Sequence, residues 1–171
     1  MIEEASFLLT KLKNYALFLL RKKSWTKEEF RLRLFTYLLR RRKELTAENK
    51  EWVEAITEEM TERGFLNDKE FARRYISHSL SFRKKGTVAI RRELKRKGIP
   101  DEMVDELLTP RKEEEIDLAE ALIKKYLAHY EALAKRKGMD KEMRENFIKG
   151  KLKGLLARRG FSRATIKKVF G

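Results

Sequence analysis

The sequence predicts an all-α protein made of three tandem three-helix repeats, stacked into an elongated, curved, solenoid-like array. Three observations carry that expectation. Leu, Lys, Arg, Glu and Ala are abundant and there are only two prolines, a composition that favours helix over strand. Apolar residues recur at helical spacing between cap signals along nearly the whole chain. A shift of 62 residues also lays Ile90 on Leu152, Leu94 on Leu156, Gly98 on Gly160, Ile99 on Phe161, Val104 on Ile166 and Leu107 on Val169, which marks an internal repeat. A looser match at a shift of 60 places Phe30 and Leu34 on Ile90 and Leu94. Small helical units of this kind bury their apolar faces against their neighbours.

The first repeat is expected at residues 1–63. From Glu3 to Arg21, Phe7, Leu8, Leu12, Tyr15, Ala16, Leu19 and Leu20 form the apolar stripe of a helix whose apolar C-terminal end should be buried. Thr26 with Glu29 opens a second helix as a capping box. Phe30, Leu34 and Leu38 are its core face, and it should end near the basic run Arg40 to Lys43. Thr46 caps a third helix with Trp52, Val53, Ile56 and Met60, stopped by Gly64.

The second repeat, 64–109, is the best punctuated. Phe65 and Leu66 are placed for a hydrophobic staple and Asn67 for a cap. Phe71, Ala72, Tyr75, Ile76 and Ser79 line the first helix, Ile90 and Leu94 the second, and Met103, Val104 and Leu107 a short third. Gly98 fits a left-handed helix end, and Pro100 the opening turn of the next helix. Thr109-Pro110 should break the chain, because the residue before a proline is steered out of the helical region.

The third repeat, 110–171, opens with a long helix from about Arg111 to Lys137 carrying Ile116, Ala119, Ile123, Tyr126, Leu127, Tyr130 and Leu133. Gly138 stops it. Asp140 caps the next helix, with Met143, Phe147, Leu152, Leu155 and Leu156, and Ser162 caps the last, with Ile166, Val169 and Phe170. Gly150 and Gly154 lie inside a helix at a cost of about 1 kcal/mol each relative to Ala. Their spacing suggests a small face for close helix approach, or a flexible joint.

Charge follows the same period. Lys and Arg against Asp and Glu number 10 to 2 over 21–43, 3 to 9 over 44–70, 10 to 1 over 71–100, 2 to 9 over 101–122 and 15 to 4 over 123–171. The basic blocks coincide with the middle helices, so stacking would line them along one edge. Acidic and basic helices can pair on a surface, but a net charge of +15 is not neutralised internally. Polyanions, nucleic acid first among them, are the expected partners.

The candidate binding residues are Arg40, Arg41, Arg42 and Lys43; Arg73 and Arg74; Arg83, Lys84 and Lys85; Arg91, Arg92, Lys95, Arg96 and Lys97; Lys149, Lys151 and Lys153; and Arg158 and Arg159. The group from Arg83 to Lys97 is the leading one, since the loop before Gly86 and the outer face of the next helix would be neighbours. Aromatic residues fall on the apolar stripes and not among these clusters, so no base-stacking platform is expected.

No catalytic residue, metal ligand or cofactor is expected. There is no Cys, and of the two histidines neither belongs to a metal or nucleophile motif. Asp101-Glu102 and Asp105-Glu106 could serve a metal-dependent nuclease, but acidic residues in a first turn are stabilised by the helix dipole without one. The start Met1-Ile2-Glu3-Glu4 lacks a basic leader and the apolar run Ala16–Leu20 is too short to span a bilayer, so the chain reads as soluble and cytoplasmic with no membrane partner.

These residues resemble the RecX family, the bacterial regulators of the recombinase RecA, from about Tyr15 to Phe170. Ala16-Leu17, Leu19-Leu20-Arg21, Thr26 and Glu29-Phe30 carry the first part. The specific part is Gly64-Phe65-Leu66-Asn67-Asp68 with Phe71, Ala72, Tyr75 and Ile76, then Gly86, Ile90, Glu93-Leu94 and Gly98-Ile99. Tyr126, Phe147, Leu152, Leu156, Arg159-Gly160-Phe161 and Ile166 carry the third. The chain departs from the family pattern at Phe30, in its longer first helix and in the Gly150/Gly154 pair. The resemblance implies a monomeric, non-enzymatic protein that lies in the groove of a RecA filament on single-stranded or double-stranded DNA. It also implies that the protein restrains the ATPase, strand-exchange and co-protease activities of RecA. A general nucleic-acid-binding protein without RecA dependence is the alternative.

Overall fold

A computed structural model describes residues 2–41 and 45–171 of the chain. The described residues are all-helical: α1 (Ile2–Lys22), α2 (Lys27–Leu39), α3 (Ala47–Glu62), α4 (Asp68–Ser81), α5 (Thr87–Arg96), α6 (Asp101–Leu108), a 3-10 turn (Thr109–Arg111), α7 (Lys112–Arg136), α8 (Lys141–Arg158) and α9 (Arg163–Phe170). None of these helices is long and apolar enough to cross a membrane. They divide into two compact units, Met1–Ala72 with Lys95–Pro100, and Arg73–Leu94 with Asp101–Gly171.

Local signals account for the helix ends. Thr26, Thr46, Asp140 and Ser162 are extended N-caps whose side chains accept the N–H three residues on, and Asn67 does the same for Glu70. Gly64, Gly98, Gly138 and Gly160 adopt positive φ just past the helices they end. Thr109-Pro110 does not break the chain as expected. The 3-10 turn leads straight from α6 into α7, with the proline in its first turn, where no N–H is missed.

In the first unit, Leu8, Leu12, Ala16 and Leu19 of α1 pack with Phe30, Leu34 and Leu38 of α2 and with Val53, Ile56 and Met60 of α3. Trp25 and Leu66 close this core, and the Trp25 indole donates to the Leu19 carbonyl at 2.8 Å. The α1 stripe is narrower than expected. Phe7 is 61% exposed with the Lys11 ammonium over its ring, and Leu17 and Phe18 near the apolar C-terminal end are also exposed. Phe65 is exposed too, so only Leu66 of the expected staple is buried.

The second unit buries Ile76 and Leu80 of α4, Ile90 and Leu94 of α5, and Val104 and Leu108 of α6. Helix α7 packs on α8 and α9. Its buried line is Glu115, Leu118, Ala119 and Leu122, not Ile116, Ile123 and Leu127, which are partly or largely exposed. Met143 is exposed at the start of α8. A Cβ on Gly150 would meet nothing within 4 Å, and one on Gly154 only the Arg158 guanidinium, so no helix approaches closely at this pair.

One junction occurs twice, once inside each unit. In the first, Asp68 of α4 accepts the Lys27 N–H at the start of α2, and the Thr26 hydroxyl donates to the Lys97 carbonyl at 2.6 Å. A Cβ on Gly98 would lie 2.3 Å from the Glu28 Cβ. In the second, Glu115 of α7 accepts the Thr87 N–H at the start of α5, and the Gly86 and Val88 N–H groups donate to the Arg159 and Gly160 carbonyls. A Cβ on Gly160 would lie 2.3 Å from the Ala89 Cβ. Lys27 and Thr87 are 60 residues apart and Gly98 and Gly160 are 62 apart, the offsets of the sequence repeat. In each case the first N–H of a helix is met by a carboxylate, and the residues at that helix start donate to a carbonyl of a later turn, through the Thr26 hydroxyl in the first junction and through backbone N–H groups in the second.

Candidate nucleic-acid interface

Helix α5 places the leading basic cluster. Ile90 and Leu94 face the core, which turns Arg92, Lys95 and Arg96 to solvent. The preceding turn is pinned: Phe82 and Arg83 N–H donate to the His78 carbonyl, and Lys85 N–H to the Ser79 carbonyl. Lys84 sits at φ 53, in the left-handed region. The Arg159 guanidinium approaches the Arg83 and Lys84 carbonyls at 3.5 and 3.3 Å. Arg83 and Lys84 side chains remain exposed.

Several cations of the predicted set hold the fold. Lys85 pairs with Glu93, whose other oxygen accepts the Tyr75 hydroxyl at 2.7 Å. Burial pulls the Glu93 carboxyl upward, but hydrogen bonds from Lys85 and Tyr75 outweigh it and hold it below the ordinary carboxylate range. Burial, followed by the bond to Glu93, pushes the Tyr75 phenol up to about 12. Arg91 pairs with Asp105 on the surface, and Lys97 with Glu29 at 2.8 Å. Arg83, Lys84, Arg92, Lys95 and Arg96 are the exposed cations of the group, with the Arg83 guanidinium also near the Tyr75 ring at 5.8 Å.

Elsewhere Arg73 and Arg74 are exposed on α4, and Arg40 and Arg41 at the end of α2, where Arg41 lies over the Tyr37 ring at 3.6 Å. Arg42 and Lys43 lie outside the described residues. Lys149, Lys151, Lys153 and Arg158 are exposed along α8, Lys151 near the Phe147 ring and Lys153 near the Phe170 ring.

Two groups were not anticipated. Glu115 is 2% exposed and accepts from Thr87 N–H and Oγ1, Ser162 N–H and Oγ, and Thr165 Oγ1. The signal was present in its spacing, since residues 115, 118, 119 and 122 share a helix face. The other is Phe82, 77% exposed in the basic turn and stacked on His78 with ring centroids 5.2 Å apart. The expectation that no aromatic residue joins the basic clusters is therefore corrected: Phe82 lies one residue beyond α4, where the stripe periodicity no longer places it in the core.

Among the described residues no three of His, Asp and Glu converge as a metal site. Asp105, one of the acids considered for a nuclease, pairs with Arg91, which holds its carboxyl below the ordinary range.

Residues 67–108 match the family described as RecX, second three-helix domain. The chain is 33% identical over 100 residues to a regulatory protein RecX of Lactobacillus delbrueckii subsp. bulgaricus, a match that covers 58% of this chain and only 36% of that protein. It is 31% identical over 168 residues to a regulatory protein RecX of Clostridium acetobutylicum, covering 98% of this chain and 70% of that one. The crystal structure of RecX from Lactobacillus salivarius superposes with a TM-score of 0.74 at 22% identity, covering 95% of this chain and 94% of that one, and so has the same fold. The end-to-end match at this identity, together with the shared fold, establishes that the chain belongs to the RecX family of regulatory proteins.

Proposed function

We propose that this chain is a non-enzymatic regulator that lies along a RecA filament on DNA and restrains its ATPase, strand-exchange and co-protease activities. On this reading it works as a cytoplasmic monomer without cofactor, as three repeats at 1–63, 64–109 and 110–171, with the basic middle helices providing electrostatic attachment. The observation that carries the reading is the set of solvent-facing cations on α5 and its preceding turn, in a chain of net charge +15. Membership of a family of regulatory proteins supports regulation as the outcome of that binding, and RecA as the partner comes from the resemblance. Phosphates of a DNA-containing groove are suitable ligands for Arg83, Lys84, Arg92 and Arg96, because each contact releases condensed counterions.

Adding the protein to RecA on single-stranded DNA and following ATP hydrolysis tests the proposal. Inhibition at stoichiometric amounts is expected, and no effect refutes it. Binding should be tighter to RecA-coated than to bare DNA; equal affinities would favour the general nucleic-acid-binding alternative. Arg92→Glu is the cleaner charge reversal, since Arg91 is engaged by Asp105. It should weaken binding and flatten the salt dependence, and an unchanged slope would move the contact surface elsewhere.

A further inference from the structure

Phe82 is a large apolar side chain that the fold does not use. It is 77% exposed and makes its ring contact with another exposed ring, that of His78. Its setting is rigid for a turn. The N–H groups of Phe82, Arg83, Lys85 and Gly86 all donate to backbone carbonyls, and the Lys85–Glu93 pair ties the turn to α5. Arg74 and His78 precede it at helical spacing on α4, and Arg83 and Lys84 follow it directly, exposed. A flat apolar ring is thus held in place among cations.

We infer that Phe82, stacked on His78 and flanked by Arg83 and Lys84, is a base-stacking platform for single-stranded nucleic acid. The choice of partner follows from what the surface offers. The cations call for a polyanion, and the ring calls for flat apolar faces presented beside the negative charges. A single strand presents both in each nucleotide, whereas a duplex hides its base faces in the stack. The inference rests on the nucleic-acid part of the function proposed above and adds to it a residue that reads strandedness.

Fluorescence anisotropy of a labelled oligothymidylate, and of a labelled duplex of equal length, tests this with the full chain. Phe82→Ala removes no core contact and should leave the helical circular dichroism unchanged. It should weaken single-strand binding by about fivefold to about a hundredfold, the range found for loss of one base–aromatic stack. The slope of log affinity against log salt should stay the same, and duplex affinity should change by less than about twofold, since no phosphate contact is lost. Lys84→Ala should instead lower the single-strand slope by about 0.7. Phe82→Trp should keep the affinity and report stacking as quenching beyond that of Trp25 and Trp52.

Single-strand affinity unchanged in Phe82→Ala overturns the inference while leaving the broader reading intact, as does an equal loss on both DNAs. A loss seen only on RecA-coated DNA assigns Phe82 to a protein contact and overturns it as well. Failure of the unaltered chain to bind either DNA, bare or coated, removes the nucleic-acid reading itself and the platform with it.

Discussion

Replacing Glu115 by Ala should destabilise the second unit by about 3–4 kcal/mol. The carboxylate is 2% exposed, so solvent screening offers little discount. Its two shortest bonds, 2.6 Å from Thr165 Oγ1 and 2.7 Å from Thr87 N–H, are of the kind that contribute about 1.5–3 kcal/mol each when the acceptor is charged. The loss falls toward the lower end of their sum, because the Ser162 and Thr165 hydroxyls already bond each other at 2.8 Å and keep a partner. Glu115→Gln retains one acceptor for the Thr87 N–H and presents an amide that the rotatable hydroxyls can accept, so about 1–2 kcal/mol is expected for it. Urea denaturation followed by far-ultraviolet circular dichroism measures both values. Amide exchange at Thr87 localises the effect, since its N–H loses its acceptor in the Ala variant. A loss below about 1 kcal/mol for Glu115→Ala, or unchanged protection at Thr87, would refute the assignment of Glu115 as the tie between α5, α7 and α9.

Gly150→Ala should stabilise the chain by about 0.5–1 kcal/mol and raise Tm by about 1–4 °C, because a Cβ there meets nothing and the helix interior gains propensity. A lowered Tm would show that the glycine serves a motion or a contact. Gly86→Ala should do the opposite, costing about 2 kcal/mol or more in denaturation experiments, since its Cβ would fall 2.3 Å from the Phe161 backbone. The Glu93 carboxyl is held below the ordinary glutamate value of 4.5, so its contribution to stability is present above that pH and lost as pH falls through the folded-state pKa. Glu93→Gln should flatten this acid limb of the stability profile and bring the Tyr75 titration down from about 12 toward 10.0, read by ultraviolet difference spectroscopy. A Tyr75 titration unchanged in that variant would contradict a contribution of the Glu93 charge to the shift.

The helix ends were legible because their physics is local. A capping side chain meets an N–H three residues away, and a left-handed glycine needs only its own backbone, so Thr26, Thr46, Asn67, Asp140 and Ser162, and Gly64, Gly98, Gly138 and Gly160, could be read in order. Buried faces were read where the stripe was aliphatic, as with Phe30, Leu34 and Leu38 of α2. They were misjudged where periodicity admitted two adjacent lines. Helix α7 buries Glu115, Leu118 and Leu122 and leaves Ile116 and Ile123 partly exposed, a rotation decided by what α5, α8 and α9 present to it.

The sequence by itself determined the all-helical class, the repeat offset, the caps and the alternation of charge, because each depends on spacing along one chain. Only the tertiary structure decided which cations are engaged and which face solvent. Lys85 finds Glu93, Arg91 finds Asp105 and Lys97 finds Glu29 across separations of 8, 14 and 68 residues, and no local rule selects those partners. It also decided that Gly86 is required by a neighbouring backbone while Gly150 is not, and that Phe82 stays outside the core. These are outcomes of packing: a side chain's environment depends on segments brought to it from elsewhere in the chain.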